Sequence, residues 1–241
     1  MKSTRPLRTV APWSASLLVS ALLMAAPLLA SLLAACASTP PPPDWRLNAH
    51  SSLERAMNAH LSGDSRVADA EFKRARAELS RTGRADQVAR GELLRCAAQV
   101  ASLVFEPCAG FEPLRADAPA AERAYADYLA GPIDAAQAAL LPPQQRVMSA
   151  ANANAGSDLA ALQAITDPLS RLVAAAVSLR SGRASPALID VAINTASDQG
   201  WRRPLLAWLG VAKLRAAADP AEAERLQRRI QLVLGASQSA P

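Results

Sequence analysis

The segment LSGDSRVADAEFKRARAELS, residues 61–80, carries the clearest indication of the fold. Gly63 favours the end of a helix because glycine adopts the left-handed backbone conformation at little cost, and Asp64 is a good N-cap for the next helix. The apolar residues that follow recur at steps of four, three and four, namely Ala68, Phe72, Ala75 and Leu79. This spacing places them on one helical face. The segment therefore predicts a turn between two helices that pack together.

The residues before this segment predict the partner helix, over residues 44–61 with Asp44 as its N-cap. Its apolar positions also fall at helical spacing: Leu47, Leu53, Ala56, Met57 and Leu61. Across the whole chain alanine and leucine dominate, aromatic residues make up 4%, and β-branched residues do not form alternating runs. This composition is typical of closely packed helices and not of a sheet. We therefore expect an all-α protein.

Gly63-Asp64, followed by Ala68, Phe72 and Ala75, resembles the tetratricopeptide (TPR) repeat. In that family a glycine in the turn is followed by small, aromatic and small residues that let the second helix approach the first. The match covers residues 46–80, about one 34-residue repeat. The family's Trp and Tyr positions in the first helix are absent here, as is its terminal Pro, and any antiparallel helix pair is the alternative. The resemblance implies stacked antiparallel helical hairpins in a TPR-like α-solenoid.

Further helices are predicted along the chain by the spacing of apolar residues and by Pro and Gly. The predicted helices span residues 86–105, a stretch after Asp117 with Pro119 in its first turn and Gly131 at its end, residues 134–141, and a helix from Pro143 that ends in a loop at 152–156. Asp167-Pro168, Ser185-Pro186 and Asp219-Pro220 each indicate an N-cap followed by a proline, and Pro204 predicts another helix start. The helical domain is thus predicted over residues 44–235, followed by a disordered tail at 236–241.

The N-terminal segment predicts a cleaved signal. Lys2, Arg5 and Arg8 precede a stretch without charge, residues 9–43, and the apolar part ends in small residues. Leu33, Ala34, Ala35 and Cys36 resemble the lipobox of bacterial lipoproteins. That resemblance implies cleavage after residue 35 and lipidation of Cys36. An ordinary secretory signal and an uncleaved membrane anchor are the alternatives.

Residues 36–43 are predicted to link the lipid to the folded domain. Four prolines, residues 40–43, favour a polyproline II spacer. Ala37 follows Cys36 in place of Asp, and by resemblance to enteric lipoproteins this implies the periplasmic face of the outer membrane. The expected membrane contact is therefore the N-terminal lipid.

The charge balance does not favour a nucleic-acid partner. The chain has 26 basic and 21 acidic residues. Without the three basic residues before Cys36 the balance is 23 minus 21, or +2. Nucleic-acid binding is typical of a clustered basic face, and the arginines between residues 73 and 95 alternate with Glu71, Glu78, Asp86 and Glu92. We interpret that stretch as a solvated, salt-bridged surface.

The candidate functional residues are few. Cys96 and Cys108 are a possible disulfide in an oxidising periplasm, with two separate buried thiols as the alternative. His50 and His60 point about 80° apart on one helix and are not expected to share a metal. Trp201 and Trp208 are expected in the core, as is the helix with Leu205, Leu209 and Leu214. We find no catalytic motif and predict no catalytic residue, cofactor or metal.

These observations favour a lipid-anchored periplasmic protein that binds an envelope protein partner. An extended surface of stacked helices serves such a role without any chemistry. The resemblance to TPR-containing lipoproteins implies scaffolding in envelope assembly or maintenance. The alternative is a small-ligand or glycan-binding protein with Trp201, Tyr125 or Tyr128 in its pocket. An envelope hydrolase is the third hypothesis, and it would need two facing carboxylates in a cleft.

Overall fold

The computed structural model describes residues 41–150 and 155–235. The chain divides into two units, Met1–Pro42 and Pro43–Pro241, and only residues 41 and 42 of the first are described. The predicted signal, its lipobox at Leu33, Ala34 and Ala35, the lipidation residue Cys36 and the predicted tail at 236–241 lie outside the described residues. The fold below is that of the second unit.

All regular structure in the described ranges is helical, which confirms the all-α prediction. The α-helices are α1 (Asp44–Ser62), α2 (Ser65–Ser80), α3 (Ala85–Ala101), α4 (Ala120–Ala130), α5 (Ala135–Leu140), α6 (Pro143–Ala150), α7 (Ala155–Ala164), α8 (Pro168–Arg180), α9 (Pro186–Asp198), α10 (Arg202–Arg215) and α11 (Pro220–Gly235). A short 3₁₀ helix, Glu112–Leu114, lies in the long connection between α3 and α4.

Several helix starts follow the predicted capping residues. The side chain of Asp64 accepts a hydrogen bond from the Val67 N–H, and Asp167 and Ser185 cap α8 and α9 in the same way. These bonds satisfy N–H groups that have no partner within the helix. Gly63 ends α1 with a φ of 97°, as the turn requires. Local sequence therefore fixes these boundaries.

Other predicted boundaries were wrong. Asp44 lies inside α1 with Pro43 at the N-cap, and α10 begins at Arg202, two residues before Pro204. The helix predicted over 86–105 ends at Ala101, because the chain turns through Leu103, which has a φ of 60°. Helix α7 was not predicted, because Asn152 and Asn154 before it and Gly156 and Ser157 in its first turn are typical of a loop, so the predicted loop at 152–156 was wrong at residues 155 and 156.

The α1–α2 hairpin packs as its sequence predicts. Ala68, Phe72, Ala75 and Leu79 are all buried, and so are Ala56, Met57 and Leu61 of the facing helix. Leu47 is an exception, with 48% of its surface exposed in the first turn of α1. The periodic apolar face thus predicts the contact within the hairpin, but not its outer end.

Helix α8 lies at the centre of the unit. Seven consecutive residues, from Leu172 to Ser178, are buried. A helix that is apolar on all sides is buried on all sides, and α8 contacts α3, α4, α6, α7 and α9. We expected α10 to be among the most buried helices, but Leu214 is 78% exposed. Leu214 lies about 140° around the helix from the buried Leu209 and cannot share its face.

Hydrogen bonds between residues far apart in the sequence join α10 to the helices at the start of the domain. The indole N–H of Trp208 in α10 donates to the carbonyl oxygen of Ala101 at the end of α3, at 3.2 Å. Arg203 donates to the carbonyl oxygen of His60 at 2.6 Å and to the hydroxyl of Ser65 at 2.7 Å. Helix α10 therefore contacts α1. In a solenoid each repeat contacts only its neighbours, so the predicted solenoid of stacked hairpins is not confirmed.

Substitution of Trp208 by Phe tests the closing contact between α10 and α3. Trp208 is fully buried, so the variant leaves the Ala101 carbonyl without its donor. We expect the free energy of unfolding to fall by about 1–3 kcal/mol in urea denaturation. The matched control is Leu214→Ala on the same helix, which removes an exposed side chain and changes stability by less than about 0.5 kcal/mol. Equal stability of the Trp208→Phe variant and the parent protein would contradict the contact.

Candidate functional site

The candidate site is a groove between α3, α4 and the end of α5, called here the α3–α4 groove. Its volume is about 420 Å³. It is lined by Arg90, Leu93, Leu94, Ala121, Glu122, Tyr125, Leu140, Leu141 and Pro142. The lining residues of α3 and α4 are spaced three to four apart, so each helix turns one face to the groove. Most of this surface is apolar, and Leu140 stands at its edge with 44% of its surface exposed.

An ion pair forms the polar part of the groove. The Nε–H of Arg90 donates to Oε1 of Glu122 at 2.7 Å. The Glu122 residue is only 9% exposed, whereas the side chain of Arg90 is 59% exposed. The other carboxylate oxygen of Glu122, Oε2, is buried and receives no hydrogen bond from the described residues. The groove thus combines an apolar surface with one buried acceptor that lacks a donor.

The two tyrosines of α4 face different recesses. Tyr125 lines the α3–α4 groove, and Tyr128 lines a second recess of about 420 Å³ beside α8. Their rings are stacked with centroids 6.1 Å apart, and burial raises the pKa of both hydroxyls above the ordinary value. The Tyr128 hydroxyl donates to Oε1 of Gln145 at 2.8 Å. Both tyrosines are therefore neutral.

One lining residue of the second recess belongs to an ion pair with a buried carboxylate. Arg183 lines this recess, and its guanidinium approaches the carboxylate of Asp158 at 3.1 Å. Asp158 is almost fully buried, at 2% exposure. Met148, Val177 and Ser178 supply other parts of the wall. Because Asp158 already neutralises Arg183, the remaining charge of the lining is that of Asp134, whose carboxylate caps α5.

Cys96 and Cys108 lie side by side in the structure. Their Cα atoms are 5.8 Å apart, which is within the range of disulfide-bonded cysteines. This contact holds the connection between α3 and α4 against α3. In the same connection, a Cβ added to Gly110 would overlap the carboxylate of Glu92, so the backbone approaches this buried carboxylate closely. The disulfide itself stays a prediction.

The histidines and tryptophans lie either on the surface or packed in the protein. His50 is on the surface near Glu54, at 3.4 Å. Burial, and then the positive charge of Arg203, lowers the pKa of His60 to about 4, so this residue is neutral near pH 7. Trp208 is fully buried, and Trp201 packs against the core from its edge. Among the described residues, no group of three or more His, Cys, Asp and Glu could hold a metal ion.

The arginine-rich stretch is salt-bridged, as we predicted, and most of its arginines are exposed, but its carboxylates Glu71 and Glu92 are buried and not solvated. Arg55 pairs with Glu71, Arg76 with Glu92, and Arg90 with Glu122, and each pair joins one helix to the next. The three carboxylates are buried. The Arg55 guanidinium, which donates to Glu71, holds the pKa of that carboxyl below its ordinary value. Glu71 is thus ionised near pH 7, which does not suit a general acid.

No family model, curated protein or solved structure matches the chain. The TPR resemblance of residues 46–80 therefore stays a prediction. None of the helices in the described part of the chain is long and apolar enough to cross a membrane.

Sequence reasoning found only part of the site. It proposed Tyr125 and Tyr128 as pocket residues, and both line a recess, but Trp201 does not line the groove. It did not identify Arg90, Glu122 or Leu140 as neighbours. One signal was present in the sequence: Glu122 lies one turn before Tyr125 on α4, an acidic residue beside an apolar face.

Thiol labelling tests the predicted disulfide in protein carrying Cys36→Ser, which leaves only Cys96 and Cys108. We expect neither thiol to react with a maleimide in unfolded, unreduced protein, and both to react after reduction. Reduction should lower the free energy of unfolding by about 3 kcal/mol, because the bond restricts the unfolded chain. A variant with Cys96→Ser is the control, since it leaves Cys108 reactive without reductant. Labelling of both thiols before reduction would exclude the bond.

Proposed function

We propose that this chain is a lipid-anchored periplasmic protein that binds an envelope protein through the α3–α4 groove. The supporting observation is the groove itself, an apolar recess with the exposed Leu140 at its edge. The centre of a protein–protein contact is apolar and its rim is polar, and the groove with its ion pair has this arrangement. The ion pair of Arg90 with Glu122 sets the polar part of the contact.

The proposed anchor is the lipid on Cys36. The sequence of residues 33–36 supports it, together with the basic leader and the proline spacer at 40–43. Two or more acyl chains give stable membrane residence, because each buried methylene contributes about 0.8 kcal/mol. An anchored binding surface meets membrane-associated partners more often than a free one, and we place it at the outer membrane, facing the periplasm.

The proposed architecture retains a TPR-like arrangement for the first three helices. Helices α1, α2 and α3 contact each other in turn, and α1 also contacts α3. In stacked helical hairpins each repeat contacts its neighbour, and these contacts support such stacking at the start of the domain. The partner would then meet the side of α3 that faces α4. The role is scaffolding in envelope assembly or maintenance.

A second candidate function is the binding of a small ligand or glycan. The two recesses, each of about 420 Å³, support it. That volume falls within the range of about 300–1,000 Å³ found for small-molecule sites. Tyr125 and the polar pair of Arg90 and Glu122 would orient such a ligand.

Site-specific photo-cross-linking in cells distinguishes the two candidates. A benzophenone amino acid at Leu140 is expected to form an adduct with one envelope protein. The control at Leu214 is more exposed than Leu140 but lies outside the groove, and it should not form that adduct. The adduct should also weaken when Cys36→Ser removes the protein from the membrane fraction. A membrane-bound protein with no adduct from position 140, or with the same adducts from both positions, would contradict the proposal.

A further inference from the structure

A residue that lines the α3–α4 groove has one buried polar atom without a hydrogen-bond partner among the described residues. Glu122 lines the groove, and its Oε2 atom receives no hydrogen bond from any described residue. Its Oε1 atom accepts the bond from Arg90 at 2.7 Å. Buried polar atoms in native proteins are almost always hydrogen-bonded, so an exception requires an explanation. Oε2 is closed to solvent in the free protein, so a bound molecule supplies the missing donor only when a side chain of the groove moves aside.

The charges of Arg90 and Glu122 determine which kind of hydrogen-bond donor suits Oε2. Arg90 and Glu122 already form a pair with no net charge. A ligand ammonium at Oε2 would lie close to the Arg90 guanidinium and be repelled by it, and a ligand carboxylate would face Oε2 itself. A neutral N–H or O–H group satisfies Oε2 without adding charge. The main-chain amide of a peptide is such a donor.

The apolar lining of the groove favours a ligand that carries an apolar group next to this donor. Leu93 and Leu141 are buried at its base, Leu94 is half-buried, and Leu140 is exposed at its edge. Apolar side chains gain free energy when they leave water for such a surface. A peptide supplies both parts at fixed spacing, since each residue carries one amide and one side chain.

We infer that the α3–α4 groove binds an apolar peptide segment of the partner, with a main-chain N–H of that segment donating to Oε2 of Glu122. This inference rests on the proposed function, because it specifies the chemistry of the same contact. It makes Glu122 a residue that determines which partners bind. Arg90 acts as a positioning residue, because it orients the carboxylate.

The test begins with a phage library that displays random peptides, from which those that bind the mature chain are selected. We expect an apolar core in the selected peptides. Titration of one labelled peptide then compares the parent protein with Glu122→Gln, whose amide oxygen keeps the bond from Arg90 and whose NH₂ group replaces Oε2. Affinity should fall at least tenfold, because a donor now faces a donor. Leu140→Ala, at the exposed edge, should also weaken binding.

The control variant is Glu71→Gln, which alters an equally buried carboxylate held by arginine outside the groove. It should leave peptide affinity unchanged. A second measurement does not depend on the stability of any variant: methylation of each peptide nitrogen in turn. One position should lose affinity for the parent protein, and the same methylation should have a much smaller effect with Glu122→Gln.

The possible failures differ for the inference and for the proposed function. Equal peptide affinity of the parent and Glu122→Gln proteins, or no sensitive nitrogen, would overturn the inference while the groove remained a protein contact. No selected peptide together with no adduct from position 140 would overturn both. Displacement of the peptide by monomeric dodecyl maltoside below its micellar concentration, with no sensitive nitrogen, would assign the groove to a small amphiphile and also overturn the inference.

Discussion

The burial of α8 on all sides is the constraint on which the rest of the structure depends. Its sequence from Leu172 to Ser178 contains no charged residue, and every one of these side chains is buried. Three of the seven residues are alanines, which let neighbouring helices approach closely. Helices from both halves of the chain contact α8, so the protein cannot open as a linear array of repeats without exposing it. The closing bonds of Trp208 and Arg203 are consistent with that requirement.

Sequence reasoning predicted the features that depend on local chemistry. The α1–α2 hairpin and the caps at Asp64, Asp167 and Ser185 could be predicted because the capping group and the bond it makes lie within three residues. The central position of α8 could not, because helical periodicity disappears when all sides of a helix are apolar. Leu214 shows the opposite error, since an apolar residue in a helix need not share the buried face.

The groove could not be predicted from the sequence, for a different reason. Its wall comes from three segments, residues 90–94, 121–125 and 140–142, and no pattern in the sequence connects them. The pairing of Arg90 with Glu122 spans 32 residues, and similar arginines nearby have other partners. The same stretch appeared to be an ordinary charged surface. Tertiary structure converts part of it into pairs with buried carboxylates, and one of these pairs lies in the groove that we propose as a binding site.

Native-state hydrogen exchange tests the central position of α8 most directly. The amides of α8 should exchange only through global unfolding, with the same opening free energy as that measured in urea, and the contacting part of α3 should follow them. The termini and the exposed end of α11 should exchange earlier. A markedly lower opening free energy for α8 than for the whole domain would contradict the account, because the helices around it would then be stable without it.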